Sequence, residues 1–164
     1  MIAVADSSPL IILARIGCFE LLHLLFSPLY IPAEFRHEVV VLGAGMPGAS
    51  EVESAQWIEV RKLQNQADLL TAQQKYALGL GELSTILLAK EIHASAVLLD
   101  DYNARELAKA EGLQVCGAVG LLETLYERGH LSDLRTAFRQ LMTHSYIDRR
   151  LLDIRLQGLG LPPL

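Results

Sequence analysis

The chain has 164 residues, 51% of them apolar and 20% charged, which supplies one hydrophobic core and leaves little room for a second domain. This balance excludes an intrinsically disordered chain, and no apolar run reaches the ~20 residues that span a bilayer. A formal net charge of −5 runs against the basic footprint usual in nucleic-acid binders.

The most apolar stretch, residues 9–26, is broken by Arg15, Glu20 and His23. No basic segment precedes the apolar residues 2–5, and Asp6 interrupts them, so no signal peptide is read and a cytoplasmic protein without membrane association is expected. Cys18 and Cys116 form no CxxC or zinc-type cluster and are expected to be buried and reduced.

Residues 2–5, ending at Asp6, read as a buried strand. Ser7, Ser8 and Pro9 then start a helix, with serine as the cap and proline in the first helical position. Helical patterning covers residues 10–15 and 19–25, broken at Gly17. Residues 28–31 read as a second strand, and Pro32 opens a helix running to about Val41. Gly43, Gly45, Pro47 and Gly48 mark the clearest loop, followed by a short polar helix over 49–56, a strand over 57–60 and a helix over 66–78. Gly79 and Gly81 punctuate the chain before a strong helix over 82–93. Residues 96–99 form a short strand ending in Asp100 and Asp101; a helix over 102–111 stops at Gly112, and 114–116 is the last strand. Helices follow over 119–128 and 132–144, then an amphipathic stretch over 147–156 and a Gly/Pro-rich end. Short, continuously apolar strands alternating with helices predict an α/β, three-layer sandwich around a short parallel sheet. The chain reads as a single domain over 1–164 with a helical C-terminal extension from about residue 130.

In open parallel sheets, ligands bind beyond the carboxyl ends of the strands, near the point where strand order reverses. Two strands here end in carboxylates, one at Asp6 and one at Asp100 and Asp101; Glu82 lies in the first turn of the helix leading to the second, and Glu38 lies late in the helix after the second strand. At an effective dielectric of 20, each close carboxylate pair costs on the order of 3–4 kcal/mol, and several would rival the whole stability of a domain. Such a cluster requires a cation or raised pKa values. Oxygen-only ligands favour Mg²⁺ or Mn²⁺ over zinc.

The motifs Val4-Ala5-Asp6-Ser7-Ser8, Ile31-Pro32 with Glu38, Gly79-Leu80-Gly81-Glu82, and Leu98-Leu99-Asp100-Asp101 with Arg105 follow one another in an order and spacing that resemble the PIN-domain family, in particular its VapC-like branch of ribonuclease toxins from toxin–antitoxin pairs. The resemblance implies the sandwich above, acidic residues holding Mg²⁺ or Mn²⁺, cleavage of single-stranded RNA, a homodimer and a small antitoxin partner. By motif position, Asp6, Glu38, Glu82 and Asp101 match the family's acidic set, with Asp6, Glu82, Asp100 and Asp101 as the metal ligands. Ser8 matches a small hydroxyl residue supporting the first Asp, and Arg105 is a phosphate-contact candidate. The chain departs from the pattern at Asn103, where many members carry a further acid; Asp100 stands as the compensating carboxylate, and a second ion is the element this departure puts in question.

Each of these residues has a plainer reading. Asp6, Asp100 and Asp101 suit helix caps, Glu82 suits the positive end of a helix, and Glu38 suits a solvated face, with Glu34 one turn earlier able to replace it. The five histidines show no ligand spacing, and Trp57 reads as core. A haloacid-dehalogenase-like phosphatase would want an acid where Ser8 stands; a receiver domain would want a lysine near Cys116-Gly117-Ala118; no GxxxxGK[ST] loop is present. The alternative to an active nuclease is a catalytically weak or inactive PIN-like binding module, favoured by Asn103. Bound metal would offset much of the negative charge and leave Arg15, Arg36 and Arg105 to face a polyanion.

Overall fold

Five strands, β1 (Ala3–Ala5), β2 (Leu29–Pro32), β3 (Ile58–Arg61), β4 (Ala96–Leu98) and β5 (Val115–Cys116), pair in the order β3-β2-β1-β4-β5 in the computed structural model, which describes residues 1–164. Every pairing is parallel. The chain builds outward from β1 to β3, then returns to the other side of β1 for β4 and β5. The reversal of strand order therefore falls between β1 and β4, which align Ala3 with Ala96 and Ala5 with Leu98.

Alternation along these apolar strands builds two separate cores. Ala3, Ala5, Leu29, Ile31, Ala96 and Leu98 face one side, where they join α1 (Ser7–Arg15), the 3₁₀ segment Phe19–Leu24, α7 (Ala118–Glu127), α8 (Leu134–His144) and α9 (Arg149–Gly158). Val4, Val97 and Leu99 face the other, beneath α4 (Gln66–Lys75), α5 (Leu80–Glu91) and α6 (Tyr102–Ala110). The expected α/β three-layer arrangement is the one observed. Helix α2 (Ala33–Arg36) and α3 (Ala49–Ser54) complete the chain. No helix is long and apolar enough to cross a membrane.

Local chemistry shifts some boundaries. The cap of α1 is Asp6, not a serine: its backbone is extended (φ −82°, ψ 167°), so Ser7 and Ser8 are already helical and Pro9 is the third residue. Proline is tolerated there because the first four N–H groups of a helix have no internal partner. Helix α5 starts at Leu80, two residues early, because the Glu82 carboxylate accepts the Gly79 N–H at 2.6 Å. The helix after β2 turns from α to π geometry at His37–Leu42. Trp57 packs against the larger core, its ring centroid 5.3 Å from that of Phe19. Both cysteines are free; Cys18 is buried as expected, and Cys116 is half-buried.

The last two helices share the main core. Phe138, Leu141, Leu152 and Leu156 are fully buried in it, and Arg135 ties the tail back by donating to the Pro162 and Pro163 carbonyls at 3.1 and 2.7 Å. Phe138→Ala should therefore destabilise the whole domain by about 3–5 kcal/mol in a single cooperative transition. Denaturant unfolding followed by both far-UV and near-UV signals checks this; loss of only part of the signal would show that the C-terminal helices fold apart.

Candidate active site

Asp6 is the first residue beyond β1, and its N–H donates to Leu98 O of β4 at 3.0 Å, which fixes it at the strand-order reversal. Its side chain is 4% exposed, the only charged residue so deeply buried. It makes no cap hydrogen bond onto α1 of regular geometry. Burial raises its pKa from 3.8 to about 6; the Glu82 and Glu38 carboxylates push it the same way, and the Ser7 and Ser8 backbone N–H groups pull it back.

Glu38 comes from the π-helical turn, a geometry found often at functional sites. Val39 anchors that turn in the core while Glu38 stays exposed. The two carboxylates meet across Gly81: a Cβ built there would lie 3.3 Å from Asp6 Oδ1 and 3.4 Å from Glu38 Oε2. Glycine thus lets the first turn of α5, the partly positive end of a helix, close on both. One turn before Glu38, Glu34 Oε2 is buried with no hydrogen-bond partner, an uncommon condition for a polar atom.

The structure brings Asp6, Glu38 and Glu82 to one place. The other predicted acids are engaged elsewhere. Asp101 caps α6, its Oδ2 accepting the Ala104 N–H at 2.9 Å. Asp100 Oδ1 accepts the Ala118 N–H of α7 at 2.8 Å. Arg105 lies beside Asp100 and donates to Leu99 O at 3.1 Å. Protein atoms crowd the Asp100 carboxyl and raise its pKa, although the residue as a whole is exposed; the Ala118 N–H and Arg105 oppose that rise. Ser8 reaches Asp6 through its backbone N–H, while the residue itself is exposed, as is Asn103. All five histidines are exposed. No three acidic, histidine or cysteine side chains converge tightly enough to enclose one ion as they stand.

Sequence reasoning missed the small-residue positions that shape the site. Gly81 cradles the Asp6–Glu38 pair, and at Gly117 a Cβ would collide with Arg105 Nη1 and lie 2.7 Å from Asp100 Oδ1. A glycine in the first turn of an otherwise strong helix was the available signal for the former.

Because the folded protein holds the Asp6 proton more tightly than the unfolded chain does, the charged form is the destabilised one. In EDTA, stability should rise as pH falls from above about 6 towards 3.8, by about 3 kcal/mol from the linkage of pKa to folding, and Asp6→Asn should remove that part of the slope. Denaturant midpoints of both proteins across this range test it; identical pH profiles would refute the burial of a titrating Asp6.

No curated protein matches the chain. The family described as DUF3368, a PIN domain, matches residues 2–160, and PIN domains are in general nucleases that use divalent metals. With that match running across every strand and both acidic strand ends, the chain belongs to the PIN-domain family.

Proposed function

We propose that this PIN domain is a metal-dependent endoribonuclease that hydrolyses phosphodiester bonds of single-stranded RNA. The observation that carries the reading is Asp6, buried at the strand-order reversal with the carboxylates of Glu38 and Glu82 acting on it. The residues fit a hard cation: the donors are all oxygens, and the space above Gly81, where Asp6 and Glu38 meet, is kept free of a side chain. Mg²⁺ is commonly held by one or two carboxylates, with waters and substrate phosphate filling its remaining positions, a number that Asp6 and Glu38 together could supply.

In this reading Asp6 and Glu38 would hold the ion, and Glu82, at the start of α5, and Asp101, beyond β4, would complete its protein ligands on leaving their backbone amides. A bound divalent ion supplies positive charge and Lewis acidity. Asp6 fixes the base of the site because its backbone is hydrogen-bonded to β4. Glu38 is exposed to solvent, so its side of the pair is open to an incoming phosphate. Asp100, held by α7 and flanked by Arg105, positions the helices around the site.

We also read the chain as the toxin of a toxin–antitoxin pair, acting as a cytoplasmic homodimer with a small antitoxin partner. The family resemblance supports this, as do two free thiols and the exposed Val41, Leu42 and Met46 just beyond Glu38, apolar surface of the kind partners cover. A second reading, a binding module with weak or no catalysis, is favoured by the neutral Asn103 and by Glu82 and Asp101 being already committed to backbone amides.

Cleavage of labelled single-stranded RNA with Mn²⁺, Mg²⁺ or EDTA separates the readings. Asp6→Asn should lower the Mn²⁺-dependent rate by at least ~100-fold, the upper end of losses seen when metal-site support is removed, while the metal-free fold holds or gains stability. Asp101→Asn keeps a cap of similar quality, so its melting should not change while its rate falls. Wild-type rates in both variants would exclude the assignment. Gly81→Ala gains up to ~1 kcal/mol of helix propensity but crowds the pair. It should therefore shift the Mn²⁺ requirement upward without lowering the melting temperature, and an unchanged Mn²⁺ titration would remove Gly81 from the site.

A further inference from the structure

A cleft of about 1160 Å³ opens between α1, α7 and the segment that joins α8 to α9, larger than the roughly 300–1,000 Å³ that encloses a drug-sized molecule. Asp6, Glu38 and Glu82 do not line it; its lining comes nearest to them in sequence at Ser8, two residues after Asp6, includes Asp100 of the second acidic strand end, and extends to Tyr146 and Leu151 near the C-terminal helices. Such a volume suits an extended ligand, one end of which would lie at Ser8 and Asp100.

Two kinds of side chain in the cleft point to that ligand. Tyr102 and Tyr146 line it yet are 73% and 109% exposed, aromatic rings left in water beside apolar wall residues such as Ile11 and Val119. Arg15 lines the same cleft, is exposed and forms no salt bridge with any carboxylate, whereas Arg155 is bound to Glu123. Arg105 is also in the lining, its guanidinium fixed by Leu99 O. The lining includes Asp100, Glu123 and Glu127 as well, so it lacks the dense positive charge that would hold a duplex by its phosphates alone. Unpaired bases expose faces that stack on aromatic rings; paired ones hide them.

We propose that this cleft is the track for the unpaired strand leading away from the scissile phosphate, with Tyr102 and Tyr146 stacking bases and Arg15 and Arg105 meeting phosphates. The proposal rests on the nuclease reading for the strand's direction, but the track itself binds RNA whether or not the chain is cut.

The probe is a 5′-fluorescein-labelled oligouridylate, used with the full chain for Mn²⁺-dependent cleavage and, in EDTA, for binding by fluorescence anisotropy. Tyr146→Ala and Tyr102→Ala should each raise KM and Kd on the order of tenfold, the range for loss of one stacked base, with kcat and melting temperature unchanged. Tyr146→Phe, which keeps the ring, should restore wild-type binding. Arg15→Ala should weaken binding and lower the salt slope by about one phosphate contact. If the wild type cuts the probe and the tyrosine variants keep its KM, the cleft serves another ligand, such as a protein segment, and the track is overturned while the nuclease reading stands. If the wild type binds without cutting and the tyrosine variants lose binding, the track stands and the catalytic reading fails. If the wild type neither binds nor cuts, both fall.

Discussion

A carboxylate that is 4% exposed at the carboxyl edge of a parallel sheet is an expensive group, and the surroundings of Asp6 make it more so by adding Glu38 and Glu82. Burial of an ionised group is tolerated when something compensates it. Within the protein, that compensation amounts to two backbone N–H groups and the first turn of α5. Much of the architecture near the site follows from this constraint: the parallel β1–β4 pairing that fixes the backbone of Asp6, the glycine that lets α5 approach, and the π turn that presents Glu38.

The two-sided core explains how such a site persists. One set of strand residues packs under α1, α7, α8 and α9, the other under α4, α5 and α6. The sheet is therefore clamped between two hydrophobic layers, and the strain of gathered like charges is confined to its carboxyl edge, where strands end and helices begin. Residues that are conformationally locked by packing, such as Val39 and Leu83, stand directly beside Glu38 and Glu82 in sequence and hold them in place.

The fold was largely legible because its signals are local. Apolar runs of three or four residues, broken by Pro, Gly or Asp, can hardly be other than buried strands when helical periods lie between them. Asp6 and the Asp100–Asp101 pair announced the strand ends, and parallel connectivity placed those ends on the same edge. What the sequence did not carry is which way each carboxylate turns. Asp101 and Glu82 turn to backbone amides three residues away, the local capping alternative that competes with the site, whereas Asp100 turns to α7, a neighbour 18 residues along the chain. The widened turn at His37–Leu42 has no compositional marker, since HEVVVL would serve equally in an α-helix. The cleft needed the third dimension altogether, because Arg15, Tyr102 and Tyr146 are brought to one surface only by the packing of α1, α6 and the segment between α8 and α9.

The hydrogen bonds from Gly79 to Glu82 and from Ala104 to Asp101 make two of the acids into latches on helix ends. Loss of a helix cap costs typically ~1 kcal/mol, close to the 1.4 kcal/mol that changes an equilibrium tenfold. A cation that recruits one of these carboxylates therefore gives up several-fold in affinity for each latch it opens, and it leaves an amide at the start of α5 or α6 free to receive another anion. Occupancy of the centre and fraying of those two helices would then be one equilibrium, in which a divalent ion would be held loosely until a phosphate met the freed amides.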